Sequence, residues 1–376
     1  MTMDWSALAQ LAGLGALLAA GPLLGLRLRS KAASPAARLR ALTVMILFLT
    51  FDLIIFGAFT RLTDSGLGCP DWPGCYGQAS PVGAHHDIAA AQAAMPTGPV
   101  THGKAWVEMI HRYLASSVGV LILVLCVLSW IHARKAQDGG VRVSPWWATV
   151  TLAWVCMQGA FGALTVTMKL FPAIVTLHLL GGMGLLMLLA WAAQGYAPRP
   201  LSLKPGLRLA AILLYGLLLL QVSLGAWVST NYAVLACSDF PACQAGQWWP
   251  DMDFTHGFAI WRELGVGADG GWLPFEALTA IHMVHRVGAL LVFGVLGGFV
   301  WRLWASGQAM ARVWAQRLAW AAAWQLVSGL SNVVLDWPLL AALAHTGGAA
   351  MLLLLMSFLL AQLRQSRARP ENTVSS

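Results

Sequence analysis

The chain has 376 residues, of which 58% are hydrophobic and only 10% charged, with a mean hydropathy of +0.68; a soluble domain carries roughly 25% charge. A soluble enzyme or a DNA-binding domain is thereby excluded, and the lipid bilayer is the expected surrounding. The net charge of +8 then reads as a topology signal and not as affinity for nucleic acid.

Apolar runs of spanning length fall at 5–26, 41–60, 106–131, 147–168, 172–194, 208–230, 279–304, 316–335 and 338–363. Each can cross a hydrocarbon core of about 30 Å as a helix. None alternates as a barrel strand does, and lipid offers no partner to an open backbone, so a polytopic all-α bundle of nine helices is predicted. The first run has its basic residues after it, at Arg27, Arg29, Lys31, Arg38 and Arg40, the reverse of a signal peptide, and reads as an extra anchoring helix. Short basic loops stay in the cytoplasm, which places the N-terminus outside. Alternation then puts Arg134, Lys135, Arg142, Arg199, Lys204, Arg208, Arg302, Arg312, Arg317, Arg364, Arg367 and Arg369 inside, with a cytoplasmic C-terminus. Outer segments hold only Arg61, Lys104, Arg112, Lys169, Arg262 and Arg286. Most of the acids fall in two long outer loops, near 61–105 and 231–278, and loops of that length usually carry function.

Residues 41–196 and 207–363 read as two versions of one four-helix unit. GAFTRLTDSGLGCPDWPGC begins at Gly57 and GAWVSTNYAVLACSDFPAC at Gly225; both reach their first Cys at the same distance and continue as C-x5-C. EMIHR at 108–112 answers HMVHR at 282–286, and Gln158 and Gln325 each precede a Gly by four residues and a fourth-helix His by twenty. Both units enter from the same side, so the repeat is parallel. The expected organisation is an extra helix with a basic loop (1–40), a first bundle (41–196), a linker (197–206), a second bundle (207–363) and a tail (364–376).

His178 lies six residues after Pro172 and His345 seven after Pro338, which sets both roughly 9–11 Å below the outer starts of their helices. His111 and His285 lie near the outer ends of inward-running helices, so four imidazoles share one layer. Ionisable groups at such depth are costly and point to function. A facing pair of imidazoles in an apolar four-helix slot suits haem iron, because the macrocycle supplies the other four ligands. Zinc wants a tighter cluster, and only Glu108 and His282 are near enough in sequence to add to it. Arg112 and Arg286, beside these histidines, are candidates for haem propionates or for snorkelling interfacial cations. Glu108 shares a helix face with His111, where the second unit has His282 beside His285; an acid at one slot alone suggests that one haem reacts, with Glu108 as proton acceptor or charge stabiliser, while the other passes electrons.

Cys126 and Cys156 lie within helices and read as packing residues. Cys69/Cys75 and Cys237/Cys243 are outer-loop pairs that suit disulfide staples or thiol–disulfide exchange. Asp52 is a lone intramembrane acid to which the sequence assigns no role. His85, His86 and His102 read as solvated loop residues, and the Trp- and Gly-rich stretch 244–275 has no reading.

FGAFTRLTDSGLGCPDWPGCYGQ, EMIHRYLASSVG, TLHLLGG, HMVHR and AHTGG, in this order across 41–363, resemble the haem A synthase family. The resemblance implies a membrane enzyme of cytochrome oxidase assembly that oxidises the C8 methyl of haem O to a formyl by successive hydroxylations, in a bacterial inner membrane. It implies His111 and His178 as axial ligands of the substrate haem in the first bundle, and His285 and His345 as ligands of a haem b cofactor in the second. Glu108 matches the family's functional acid and Cys69/Cys75 its first-loop pair, and a haem O synthase and oxidase assembly factors are implied partners. The run 5–26 lies outside the family's eight-helix core. Two other functions fit parts of the pattern, a di-haem cytochrome b-type electron carrier and a membrane thiol–disulfide oxidoreductase.

Overall fold

The computed structural model describes residues 5–30, 33–135 and 143–367; Lys31, Arg142, Arg369 and the tail beyond 367 lie outside the described residues. Its helices are α1 (Trp5–Arg29), α2 (Pro35–Leu62), α3 (His85–Ala94), α4 (His102–Lys135), α5 (Trp146–Thr167), α6 (Pro172–Tyr196), α7 (Pro205–Thr230), α8 (Phe254–Gly257), α9 (Phe275–Ala305), α10 (Ala309–Val334) and α11 (Leu339–Arg367), and no strand occurs among the described residues. All nine apolar runs are long helices. Eight of them are long and apolar enough to cross a membrane, and the protein is a multi-pass membrane protein. The other is α10, which has the length, 26 residues, but carries Arg312, Gln316, Arg317, Gln325 and Asn332 along it.

Local chemistry starts the helices where the sequence places them. Proline occupies the first turn of α2, α6 and α7, where its missing N–H costs nothing and its fixed φ is already helical. Ser34 caps α2 by accepting the N–H of Ala37 at 3.3 Å. The turns into α6 and α11 are built alike. Each has two successive non-glycine residues in the left-handed region, Lys169 and Leu170 (φ 50° and 59°) and Asp336 and Trp337 (φ 53° and 58°), a conformation costing roughly 1–2 kcal/mol per residue. A proline follows each pair, and these turns set the depth of His178 and His345.

Helices α2, α4, α5 and α6 pack in a closed ring, each on two neighbours, and α7, α9, α10 and α11 form a second ring. The rings meet where α6 and α2 lie on α11 and α6 lies on α7. Polar contacts stitch this seam at both ends: Thr176 Oγ1 to Thr230 Oγ1 at 3.1 Å, Tyr232 donating to Asp64 at 2.8 Å, Arg61 donating to the Ser229 carbonyl, and Trp191 donating to the Ser357 carbonyl at 3.1 Å. The extra helix α1 packs on α4, close enough that a methyl group added at Gly15 would lie 2.7 Å from Cβ of Ser116.

The apolar core is not evenly spread. Most of its largest cluster, including Ile46, Leu121, Leu189, Leu214, Leu296, Trp314 and Met356, belongs to the half of the bundle where α2 and α7 begin, the basic end, and smaller clusters around Phe171, Ile174 and Trp227 and around Ile88 and Met109 lie at the other end. The opposite half, beneath the two disulfide loops, holds the four histidines.

Candidate functional site

His111 on α4, His178 on α6, His285 on α9 and His345 on α11 are all half-buried. Each ring lies against a glycine of a neighbouring helix. A methyl group at Gly57 would sit 3.0 Å from Nε2 of His111, at Gly162 3.5 Å from Cε1 of His178, at Gly225 2.9 Å from Cε1 of His285 and at Gly329 3.0 Å from Cε1 of His345. At Gly57, Gly225 and Gly329 a side chain would press on the imidazole, which accounts for glycine there, whereas a methyl group at Gly162 would meet His178 at ordinary contact distance. His178 is within electrostatic reach of His111, and His345 of His285, so the layer resolves into one pair per ring of helices. Phe56 lies parallel over His111, with centroids 6.3 Å apart and planes 10° apart.

The two pairs differ in what holds them. Gln221 on α7 donates to Nδ1 of His285 at 3.0 Å and to the carbonyl of His285 at 2.9 Å. Gln325, with its amide nitrogen facing the ring, does the same for Nδ1 and the carbonyl of His345 at 3.2 and 2.9 Å, and Ser328 lies 3.2 Å from that Nδ1. In the first ring of helices Nδ1 of His178 and Nε2 of Gln158 are buried without a hydrogen-bond partner, an expensive arrangement.

Above the imidazoles the disulfide loops are fixed by one design used twice. Cys69–Cys75 and Cys237–Cys243 are both bonded. Glu108 Oε2 accepts the N–H of Cys69 at 2.8 Å, and its other oxygen pairs with Arg112. Arg112 also donates to the carbonyls of Asp71 (3.0 Å), Pro73 (3.1 Å) and Gly74. In the second loop His282 takes the acid's place, accepting the N–H of Cys237 at 3.4 Å, while Arg286 contacts His282 at 3.4 Å and donates to the carbonyls of Asp239 (2.9 Å), Ala242 (3.0 Å) and Cys237 (3.0 Å). Both guanidiniums thus act as loop clamps. Glu108 and Arg112 are only 4% and 7% exposed, which closes the first clamp off from water, and in the second His282 is 6% exposed while Arg286 is half-buried.

Stretch 244–275, to which the sequence gives no reading, lies across the seam. Trp227 donates to the Gly257 carbonyl at 2.9 Å, Trp261 packs on Phe171 with centroids 4.7 Å apart, and Asp253 caps α8. The His256 N–H holds the Asp253 carboxyl below its ordinary range, with the His256 ring adding to it. Arg262 in this stretch is 5% exposed. It donates to Asn231 and lies 5.8 Å over the Trp227 ring, but its Nε and Nη1 have no partner, and burial pulls its guanidinium below the usual value. The sequence counts Arg262 merely as an outer charge. Gln221 likewise escapes sequence reasoning, although the repeat offers a signal, since the matching position in the first unit is Leu53.

His85 lies 4.5 Å from His102 and 5.8 Å from His86, ring to ring. Among the described residues no group of three or more His, Cys, Asp or Glu side chains could hold a metal ion. A bare ion therefore has no ready cage, whereas a macrocycle bringing four of its own ligands needs only a facing imidazole pair. The donor types, the orphaned His178 and Gln158 atoms and the glycine-lined rings fit such a group.

Residues 40–357 match the family described as cytochrome oxidase assembly protein, COX15-CtaA. The chain is 39% identical to the Heme A synthase of Shewanella oneidensis over 82% of its own length and 91% of that protein. It is 30% identical to the Heme A synthase of Allorhizobium ampelinum (85% and 88% covered) and 25% identical to that of Halalkalibacterium halodurans (84% and 94%).

Proposed function

The chain belongs to the COX15-CtaA family of cytochrome oxidase assembly proteins, and from that premise we propose that it is a haem A synthase. The substrate is haem O, and the reaction oxidises its C8 methyl to a formyl by successive hydroxylations. Haem O would be held by His111 and His178, and a haem b cofactor by His285 and His345. The haem b would supply electron transfer, and the chain's residues position both groups. Gln221 and Gln325 would set the ring planes of the second pair and decide which nitrogen faces the slot.

One observation carries the division of labour. Two loop clamps of the same design differ in a single member, a carboxylate at Glu108 and an imidazole at His282. On α4 that carboxylate is one helical turn from His111, so the first slot alone has a buried acid able to hold or take a proton beside the reacting edge. Arg112 and Arg286 have most of their donors on loop carbonyls, which favours Arg262, with two donors to spare, as the partner of a propionate. The disulfides serve as staples for these loops. The proposed setting is a bacterial inner membrane with the disulfide loops outside, where thiols oxidise, next to a haem O synthase and oxidase assembly factors.

The test is conversion of supplied haem O in membranes holding the protein. Wild type should yield haem A, and His111→Ala should abolish it. Formation of haem A by His111→Ala at the wild-type rate would overturn the assignment.

A further inference from the structure

Asp52 sits near the middle of α2, a membrane-spanning helix, and is exposed on its face. No hydrogen bond or salt bridge reaches it among the described residues. An acid left to lipid costs roughly 2.5–3.5 kcal/mol at mid-membrane, so such residues face a polar ligand or a pathway. Here the neighbourhood is a groove of about 360 Å³ between α2 and α11, lined by Asp52, Ile55, Phe56, Phe59 and Leu343. Asp52 is its only polar side chain. The groove adjoins the first slot, because Phe56 is the residue stacked on His111.

We propose that this groove receives the isoprenoid arm of haem O and that Asp52 accepts a hydrogen bond from the hydroxyl at the arm's root, making it a specificity-determining residue. The inference rests on the haem A synthase reading and adds how the site tells haem O from haem b. These two porphyrins differ in that one arm, a hydroxyl followed by a long hydrocarbon chain. A groove that is apolar except for one acceptor matches those two parts. Depth matches as well. Asp52 lies five residues before Gly57, which touches His111, hence roughly 7–8 Å farther into the membrane. That is about the distance from a porphyrin's iron to its edge substituents. With the propionates at the polar surface, the arm-bearing edge points in this direction. A site that hydrogen-bonds a hydroxyl rejects the analogue lacking it, because an acceptor at mid-membrane depth, with no water to take the hydroxyl's place, is then left unpaired.

The test is the haem composition of full-length protein purified from cells that make both haem b and haem O, read by extraction and mass analysis. Asp52→Leu should keep its haem b and lose about tenfold of its haem O plus haem A. Asp52→Asn, which can still accept from the hydroxyl, should retain more, and Leu343→Trp, which narrows the groove without touching the acid, should lose haem O as Asp52→Leu does. Wild-type haem ratios in both Asp52→Leu and Leu343→Trp would overturn the proposal while leaving the synthase reading intact. Loss of turnover with haem O content unchanged would also overturn it, pointing to a redox partner such as a quinone in the groove. If wild type itself never holds haem O or haem A, the synthase reading fails first.

Discussion

Glu108 accepts the backbone N–H of Cys69 at 2.8 Å, so the buried acid of α4 and the first disulfide loop form one mechanical unit one turn above His111. The same carboxylate pairs with Arg112, itself bound to three loop carbonyls. Replacing the acid therefore separates its chemistry from its structural part. Glu108→Gln removes the counter-charge of the buried Arg112 but keeps an oxygen that can accept from Cys69 or Arg112, so it should lower the thermal midpoint less than Glu108→Ala does while lowering haem A formation by about a hundredfold. Glu108→Ala leaves Arg112 buried without its counter-charge, at a cost of about 3–5 kcal/mol, and should lower both. Full activity in Glu108→Gln would assign the carboxylate to loop anchoring alone.

The glycines facing the imidazoles make a second prediction. Gly225→Val would press on His285, whose Cε1 lies only 2.9 Å from the place a Cβ at this position would take, and overpacking costs about 1–3 kcal/mol. The reduced haem b absorbance should fall by at least half with helix content unchanged by circular dichroism. Gly294→Val on the same helix as His285 meets nothing within 4 Å and should keep the full signal. Equal signals in the two variants would argue against the glycine-lined slot.

Much of this site is legible in the residues, and what is not has a physical reason. Periodicity and length locate every long helix, and the internal matches bring His111, His178, His285 and His345 to one level. Arg112 and Arg286 read as candidate propionate partners because they neighbour histidines at the interface. The structure adds that their donors close on carbonyls 38 to 49 residues away, a relation no local pattern carries. His282 is visible in the sequence as a departure from Glu108, yet its hydrogen bond to Cys237 exists only once the loop folds back over α9. Helix α10 is located as the apolar run 316–335 and Gln325 by its place in the repeat; that the Gln325 amide donates to His345 follows only from the packing of α10 on α11.

Arg262 offers a test with two opposite signs. In haem-free protein its unpartnered Nε and Nη1 are an uncompensated burden, and Arg262→Met, similar in volume, should raise the thermal midpoint. In haem-loaded protein the same change removes the cation proposed for a propionate and should speed haem loss several-fold, followed by transfer to an apo-globin acceptor. A lower midpoint in the haem-free state together with unchanged haem loss would make Arg262 purely a packing residue.

The loop over the seam should loosen in acid. Asp253 and Asp269 are both held below the ordinary 3.8, the first chiefly by the His256 N–H and the second chiefly by the Gly271 N–H. A carboxyl whose folded value is depressed stabilises above its unfolded value, and that contribution is lost as pH falls through the folded one. Hydrogen exchange across 251–273, corrected for intrinsic rates, should therefore be flat from pH 7 to about 4 and quicken below it. Asp253→Asn should remove most of that acid step, and an unchanged step would place its origin elsewhere.

The most direct measurement is extraction and mass analysis of the non-covalent haems from the purified protein, taken with its reduced visible spectrum. Haem b together with haem O, a hydroxylated intermediate or haem A is predicted, with His285→Ala losing the haem b and His111→Ala losing the others. Haem b alone, even when haem O is supplied during expression, would contradict a substrate slot and favour an electron carrier; no haem at all would leave only the disulfide loops to carry chemistry.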